Sequence, residues 1–340
     1  MKQIIQERLA SLRGLLKKNN LSAFIIPSTD PHLSEYTASH WKSRQWISGF
    51  TGSAGTVAVT LDKAGLWTDS RYFLQGAQQI EGTTIDLFKD GLPDTPSIIE
   101  WLCSELPAGA TVGIDGKMFS VQEVEEMKTL LNKKGINLDT RLDPMAELWT
   151  DRPAMPQAPA FVYETKYAGT ACPEKIEKIR KQLAKNDAEG LLVSALDEIA
   201  WTLNLRGSDV KCNPVVVSYL LITKNEVVYF IAPEKVTKEV KDYLESLHII
   251  IKDYNEIDSY LSALSTKSIQ LCPVKTNYAT FSAVNPNCKV IRSSSPIALL
   301  KAVKDEQEIK GIHTSMQRDG VALVKFLMWL ESAVPSGKET

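Results

Sequence analysis

Hydrophobic positions in the first 140 residues follow two alternating periods. Apolar residues at helical spacing predict helices over residues 4–18, from about 70, over 96–106 and over 121–133. Short apolar or β-branched runs predict strands at 21–27, 56–60, 66–68, 84–88, 111–115 and 136–138. Such alternation of strands with helices is typical of a layered α/β fold.

The same pattern begins again after residue 160. It predicts helices over 175–185 and 233–247, and strands at 188–193, 215–223, 227–231 and 249–251. Residues 16–26 resemble residues 183–193, and Gly52-Ser53 lies where Gly207-Ser208 lies in the later copy. Two long copies indicate a duplicated domain rather than an array of short repeats.

Three prolines in residues 151–159 predict an extended linker between the copies. The expected division is therefore a first domain over 1–150, a linker over 151–160 and a second domain over 161–304. The first copy carries an insert over residues 30–45. The remaining segment, 305–340, contains a long amphipathic helix predicted over residues 305–331, and we expect it to open a further domain.

Composition narrows the class of protein. A length of 340 residues favours about two domains, and a net charge of −2 argues against nucleic acid as a partner. No apolar run approaches the length that spans a membrane, and no secretory signal is visible at the start. Five widely spaced cysteines without a CxxC pair predict reduced thiols and a cytoplasmic location.

The most informative stretch is residues 48–74. Gly49, Gly52 and Gly55 precede the predicted hairpin, which ends at the tetrapeptide Asp69-Ser70-Arg71-Tyr72. A guanidinium at the end of a strand can bind a carboxylate or a carbonyl. Alternatively, Asp69 and Arg71 only cap the next helix and form a surface salt bridge. The second copy lacks a comparable tetrapeptide, which favours a functional role for Arg71.

Other candidate sites have weaker support in the sequence. His32 and His40 share the insert with Glu35, Tyr36 and Trp41, but we expect no metal site there, because a metal needs converging ligands. The three glycines form neither a Walker loop nor a GxGxxG motif, so turn geometry explains them better than phosphate binding. Residues 204–209 either form a polar turn or reach a neighbouring active site.

Several segments together resemble one family. The matching segments are IIPSTD at 25–30, SEY at 34–36, SGF with GSAGT at 48–56, WTDSRYFL at 67–74, WTDRP at 149–153, and LDEIAW with NLRGSDV at 196–210. In this order they resemble the amino-terminal part of the long, three-domain Xaa-Pro aminopeptidases (aminopeptidase P). They extend over most of the chain.

The resemblance implies two tandem creatinase-like α/β domains whose mixed sheets are covered by helices. In this family a third, pita-bread domain binds two divalent metal ions, usually manganese, and releases the first residue of peptides with proline second. The helix from residue 305 would begin that domain. The resemblance therefore implies a cytoplasmic homodimer and assigns substrate binding to Arg71. It implies no catalytic residue, metal ligand or cofactor in this chain, which alone would be inactive.

Two readings from another class remain open. The chain could be a non-catalytic protein-binding module of creatinase-like fold, or a self-standing dimerisation scaffold. The tetrapeptide around Arg71 favours the peptidase, and the absence of an acidic tail argues against a histone-binding module.

Overall fold

Two six-stranded mixed sheets organise the protein. A computed structural model describes residues 2–337. The strands of the first sheet are β1 Ala23–Ile26, β2 Thr56–Thr60, β3 Ala64–Thr68, β4 Asp86–Lys89, β5 Thr111–Ile114 and β6 Asn137–Asp139. They lie in the order β4-β3-β2-β1-β5-β6, with β1 antiparallel to β2 and parallel to β5.

Six helices accompany this sheet. They are α1 Lys2–Lys18, α2 Ser43–Ser48, α3 Phe73–Ile80, α4 Ile98–Glu105, α5 Val121–Asn132 and α6 Pro144–Leu148, with 3-10 turns at Ser39–Trp41 and Ser70–Tyr72. The predicted capping box of α5 is confirmed, because the Ser120 hydroxyl accepts from Glu123 N while the Glu123 carboxylate accepts from Ser120 N. We call this sheet with its helices the first lobe.

The second sheet has the same topology. After a short ribbon of β7 Phe161–Val162 with β9 Leu205–Arg206, its strands are β8 Gly190–Val193, β10 Ser218–Thr223, β11 Val227–Ile231, β12 Ile250–Lys252, β13 Ser268–Leu271 and β14 Lys289–Arg292. Their order, β12-β11-β10-β8-β13-β14, repeats that of the first sheet strand for strand. The predicted internal duplication is therefore confirmed.

Seven helices accompany the second sheet, and we call the sheet with these helices the second lobe. They are α7 Thr165–Ala168, α8 Cys172–Lys185, α9 Leu196–Leu203, α10 Lys238–Ser246, α11 Ile257–Ser262, α12 Tyr278–Ser282 and α13 Pro296–Ala302, with 3-10 turns at Pro233–Lys235 and Tyr254–Glu256. The last helix is α14 Glu306–Ser336.

Each sheet has a hydrophobic core on both faces. Phe24 and Ile26 of β1 lie in one core with α1, whereas Ile25 lies in the opposite core with α5. In the second lobe Leu191 and Leu192 of β8 divide in the same way. Because successive side chains of a strand point to opposite faces, central strands buried on both faces read as continuous apolar runs.

Several predicted boundaries differ from the structure, and local contacts explain three of the differences. Strand β3 begins at Ala64, so the turn is shorter than expected and Gly65 belongs to the strand. Glycine is needed there because a Cβ at this position would lie 2.5 Å from the Trp67 ring. Strand β10 begins at Ser218 rather than Val215, because Val217 N donates to the Asp209 carboxylate. The helix predicted over 233–247 is divided, since Thr237 caps α10 as a separate helix.

The insert over residues 30–45 joins the two lobes. Ala38 and Trp41 pack in one apolar cluster with Leu196, Ala200 and other residues of the second lobe. His32 is buried against the second lobe, and Pro31 O accepts from the Asn277 amide at 2.7 Å. Elsewhere Arg292 binds Glu125 through hydrogen bonds of 2.6 and 2.7 Å. The insert, which the repeat pattern marks as extra, therefore contributes directly to this interface.

Helix α14 extends away from the second lobe. Asp305 caps it and also accepts from the Thr170 hydroxyl at 3.0 Å. It continues five residues beyond the predicted end at 331, whereas residues 338–340 of the expected 305–340 segment lie outside the described residues. Its apolar side chains Met316, Leu327 and Trp329 are each about half exposed or more. Among residues 2–337, no helix combines the length and hydrophobicity of a membrane span.

Candidate functional site

The hairpin β2–β3 places the tetrapeptide at the end of the first sheet. Strand β3 ends at Thr68, and Asp69 then caps the 3-10 turn Ser70–Tyr72 by accepting from Arg71 N at 3.1 Å. Thr68 itself is buried and donates to Ala54 O at 2.7 Å. The turn is thereby held against the glycine-rich loop, and Arg71 projects from it.

Asp69 orients the Arg71 guanidinium. Arg71 Nε donates to Asp69 Oδ1 at 2.9 Å and Nη2 donates to Oδ2 at 2.7 Å. These hydrogen bonds hold the pKa of the Asp69 carboxyl below its usual range and raise the pKa of Arg71, to which the charge of Glu35 adds a smaller effect. The Arg71 side chain remains 66% exposed. One edge of the guanidinium is therefore fixed, its Cζ lies 5.3 Å from the centroid of the Tyr72 ring, and Nη1 donates no hydrogen bond within residues 2–337.

Both predicted roles of Asp69 and Arg71 agree with this geometry. Asp69 is a cap, and the two side chains form an ion pair, as the structural alternative expects. However, a bidentate pair that leaves one guanidinium edge in solvent is also a suitable donor for a second acceptor.

Tyr72 ties the turn to the glycine-rich loop. Its hydroxyl lies 2.7 Å from the Ser53 hydroxyl, and its ring meets the edge of Phe50 at 5.9 Å. A Cβ on Gly52 would lie 2.3 Å from Phe50 Cζ and 2.8 Å from Tyr72 Cδ1. Gly49 ends α2 with a left-handed φ of 73°. Turn geometry and close packing therefore explain these glycines, as predicted.

Arg44 also holds this loop through hydrogen bonds, and no sequence motif pointed to it. Its Nε donates to the Ser28 hydroxyl at 2.8 Å and Nη1 donates to Phe50 O at 2.5 Å, while Nη2 donates to Gly52 O. Burial lowers the pKa of Arg44 to about 10. All three acceptors are neutral, so Arg44 forms no ion pair here. Because it holds Ser28, Phe50 and Gly52 together, it stiffens the loop that carries Ser53. Only its place in the insert, shortly before the glycines, could have suggested this.

A cleft of about 390 Å³ lies beside this loop, between the insert and the second lobe. Glu35, Tyr36 and Ser53 line it from the first lobe, and Lys211 and Cys212 line it from the second. Arg71 does not line the cleft, but Glu35 lies close enough to raise the pKa of Arg71. The cleft and the exposed guanidinium therefore form neighbouring parts of one surface.

The second lobe carries a corresponding turn with different chemistry. There β11 is followed by the 3-10 turn Pro233–Lys235, just as β3 is followed by Ser70–Tyr72. Glu234 replaces Arg71, and the last residue, Lys235, binds Asp209 as Tyr72 binds Ser53. The backbone turn is thus common to both lobes, whereas the Asp69–Arg71 pair belongs to the first lobe alone.

The histidines of the insert have structural partners. His32 Nδ1 lies 2.9 Å from Ser194 O and Nε2 lies 3.0 Å from the Tyr254 hydroxyl, whereas His40 Nδ1 lies 2.6 Å from Pro153 O. Burial lowers the pKa of both imidazoles. Within residues 2–337, no group of three His, Cys, Asp or Glu side chains could hold a metal ion. The residues of the insert therefore do not fit a metal centre.

Residues 204–209 form a buried polar turn. Asn204 adopts a left-handed φ of 51° at the end of α9, and its side chain accepts from Lys175 Nζ at 2.7 Å and donates to Thr170 O at 3.0 Å. Arg206 donates to Ala200 O at 2.5 Å. Hydrogen bonds within the second lobe engage these side chains, as the turn interpretation expects.

Comparison with known proteins identifies the family. Models of the creatinase/prolidase N-terminal domain match residues 8–145 and residues 151–308. A probable Xaa-Pro aminopeptidase P of Coprinopsis cinerea is 38% identical over 98% of this chain and 56% of its own length. Aminopeptidase P2 of Arabidopsis thaliana is 37% identical, over 98% of this chain and 52% of its own length. The chain thus spans about half the length of the curated relatives it matches.

A solved structure shares both lobes and the long helix. The X-prolyl aminopeptidase of Caenorhabditis elegans, described as a cytosolic enzyme with a di-nuclear active site, superposes with a TM-score of 0.91 at 32% identity. The superposition covers 98% of this chain and 57% of that enzyme. The predicted creatinase-like α/β fold with mixed sheets is therefore confirmed. The chain belongs to the creatinase/prolidase N-terminal domain family and contains two such domains in tandem.

Proposed function

We propose that the chain is the substrate-positioning and assembly region of a metal-dependent Xaa-Pro aminopeptidase. The longer enzyme hydrolyses the first peptide bond of peptides with proline second, as the names of the relatives suggest. Identity of 38% along 98% of the chain supports this assignment. Since the chain spans about half of those relatives, hydrolysis belongs to the longer protein, and the 340-residue chain alone is inactive.

The observation that carries the proposal is the exposed, pre-oriented guanidinium of Arg71. Asp69 fixes one edge of it with two hydrogen bonds, so a peptide carbonyl or carboxylate can bind the other edge at little cost in side-chain entropy. Binding of this kind positions a substrate without taking part in bond breaking. Arg71 is therefore the proposed substrate-binding residue, and no catalytic residue is assigned to this chain.

Metal ions enter the proposal only outside this chain. The related Caenorhabditis elegans enzyme is described as having a di-nuclear active site, and we assign two divalent ions, manganese, to the corresponding part of the longer protein. The described residues offer no suitable ligand group, so no cofactor is assigned here.

We further propose the division into a first domain 1–150, a linker 151–160, a second domain 161–304 and the first helix of the catalytic domain, 305–340. The repeated sheet topology supports the two domains, since β1–β6 lie within 1–150 and β8–β14 lie within 161–304. Apolar side chains project from several sides of the later half of α14, including Val324, Phe326 and Trp329, and a helix of this kind is normally buried. Homodimer assembly in the cytoplasm completes the proposal.

A second candidate function is a non-catalytic binding or dimerisation module. The exposed apolar surface of α14 favours it, because such a surface could join two copies of this chain. Light scattering measures the oligomeric state of the 340-residue chain and of its Trp329→Glu variant, and so distinguishes this module from the aminopeptidase region. Dimers that the variant abolishes would favour the module. Under the aminopeptidase proposal the rest of the longer enzyme covers α14, so the variant should leave the association of this chain unchanged.

The proposal is tested by Arg71→Ala in the longer enzyme. We expect kcat/KM for an Xaa-Pro peptide to fall at least about tenfold, with Arg71→Lys intermediate, because lysine lacks the planar fork. Arg141 offers a matched control, since it forms the same pair with Asp139 two residues before it and is 87% exposed. Arg141→Ala should leave the kinetics unchanged, and unchanged kinetics in Arg71→Ala would contradict the substrate role.

The fragment supplies an independent test. Purified as 340 residues and given manganese, it should not release the first residue of an Xaa-Pro peptide. Metal-dependent release would show that the reacting groups lie within this chain.

A further inference from the structure

A groove on the first lobe is lined in part by Asp69. It has a volume of about 450 Å³, within the range of small-ligand sites, and runs between α4 and α5. Ile25, Trp67 and Met127 are among the apolar residues that form its floor, and Leu130, 44% exposed, stands at its rim. None of these apolar side chains contributes to the Arg71 site.

The charges that line the groove have one sign. Asp69, Asp90, Glu123 and Glu126 line it, and no Lys, Arg or His does so in this described part of the chain. Asp69 is neutralised by Arg71, and Glu123 accepts from Ser120 in the capping box. Glu126 accepts only from the neutral Gln122, at 2.8 Å, and Asp90 has no hydrogen-bond partner for its carboxylate among residues 2–337. Three carboxylates, those of Asp90, Glu123 and Glu126, therefore border an apolar floor without an ion pair in the described part of the chain.

We infer that this groove binds a peptide segment in which a basic side chain stands beside an apolar one. The apolar side chain covers Trp67 and Met127, and the cation meets Glu126 and Asp90. Apolar contact supplies most of the affinity, whereas the carboxylates select the charge of the ligand. Negative ligands are disfavoured, because the groove offers them no cation.

The groove would extend substrate recognition beyond Arg71. Asp69 belongs to both sites, since its side chain lines the groove and binds the Arg71 guanidinium. A peptide positioned by Arg71 could therefore place a more distant residue in the groove. The inference rests on the proposed function only in naming a peptide as the ligand, so binding is measured on the 340-residue chain, without catalysis.

The probe is acetyl-Gly-Phe-Arg-Gly-amide, and its matched partner carries Glu in place of Arg. Calorimetric titration should detect the Arg peptide and find the Glu peptide at least about tenfold weaker. Higher salt should weaken the Arg peptide. Leu130→Gln, which removes apolar surface at the rim without adding charge, should weaken binding at least about fivefold; this side chain is already exposed, so the variant should fold, which circular dichroism verifies. Glu126→Lys should weaken the Arg peptide about fivefold.

Two controls locate the effect. Glu81→Lys makes the same charge change at an exposed position outside the groove and should leave binding unaltered. Arg71→Ala removes the cation that neutralises Asp69, so it should not weaken the Arg peptide, whereas it should lower kcat/KM in the longer enzyme; a failure of the groove is therefore distinguishable from a failure of the Arg71 proposal. Equal affinity for the two peptides, unchanged binding by Leu130→Gln, or no saturable binding at ~10 mM peptide overturns the inference.

Discussion

Lys235 and Asp209 form a buried ion pair in the second lobe. The Lys235 ammonium lies 2.6 Å from Asp209 Oδ2, and the two side chains are 1% and 0% exposed. Asp209 Oδ2 also accepts from Val217 N, whereas its Oδ1 has no partner among the described residues. Burial of the ammonium lowers the pKa of Lys235, which the hydrogen bond to Asp209 partly offsets. Lys235 has the place in its turn that Tyr72 has in the first lobe, and Asp209 follows Ser208, the counterpart of Ser53.

Removal of the Lys235 charge should destabilise the second lobe strongly. Lys235→Met leaves the Asp209 carboxylate buried without a counter-ion, which typically costs about 3–5 kcal/mol. Urea denaturation followed by circular dichroism measures this change in the free energy of unfolding. Lys238→Met, which removes an exposed lysine paired with Asp242, is the control and should change nothing measurable.

The double variant Lys235→Met, Asp209→Asn distinguishes a buried charge from lost packing. The asparagine oxygen can still accept from Val217 N, and no charge remains, so the double variant should recover most of the lost stability. A double variant no more stable than Lys235→Met would argue that packing of the lysine stem, not the carboxylate charge, determines the loss.

Substitution of Arg44 should loosen the glycine-rich loop. Arg44→Lys provides a single ammonium where a planar guanidinium reaches Ser28, Phe50 O and Gly52 O together, so we expect a loss of about 2 kcal/mol. Hydrogen exchange should increase at the amides of residues 50–55 before it increases elsewhere in the first lobe. Unchanged exchange in this loop would contradict the role of Arg44 as a clamp.

Gly52 and Gly14 should respond in opposite directions to alanine. Gly52→Ala places a methyl group 2.3 Å from Phe50 Cζ, and the shift that this forces should cost about 1–3 kcal/mol. Gly14 lies within α1 with no atom in the way of a Cβ, so Gly14→Ala should stabilise by about 1 kcal/mol. Melting temperatures of the two variants provide the comparison. Equal effects of the two changes would rule out the close packing at Gly52.

The joint between the lobes should weaken in mild acid. Burial holds the pKa of His32 below its ordinary value of 6.5, with Asp30 partly opposing this. The unfolded chain therefore binds a proton at a higher pH than the folded protein does. Stability contributed by neutral His32 is complete above about pH 6.5 and declines as the pH falls below that value, by at most about 1.4 kcal/mol per pH unit.

A variant separates His32 from other titrating groups. His32→Asn should be less stable than the parent at pH 7 and should lose less stability between pH 7 and pH 5. Urea denaturation at both pH values gives the comparison. If the variant loses as much stability as the parent over that interval, another group is responsible for the acid sensitivity.

The sequence by itself determined the secondary structure of most elements and the duplication. Apolar residues at helical spacing defined α1, and the capping box at Ser120 located the start of α5. Continuous apolar runs defined the central strands β1 and β8. These signals are local, because a helix or strand buries a face whose residues are close together in sequence. Strands β13 and β14 were missed, since polar residues such as Gln270 and Lys289 interrupt their apolar pattern.

Tertiary structure decided which polar side chains are buried and what they contact. Lys235 binds a residue 26 positions away, and His32 contacts Tyr254 at a separation of 222. The insert over residues 30–45 gave no sign in sequence that it joins the lobes. Arg71 could be selected from its motif, but its fixed and free guanidinium edges depend on the turn that Asp69 caps. A hydrogen bond requires two groups to meet in space, and residue spacing predicts that only within a single element.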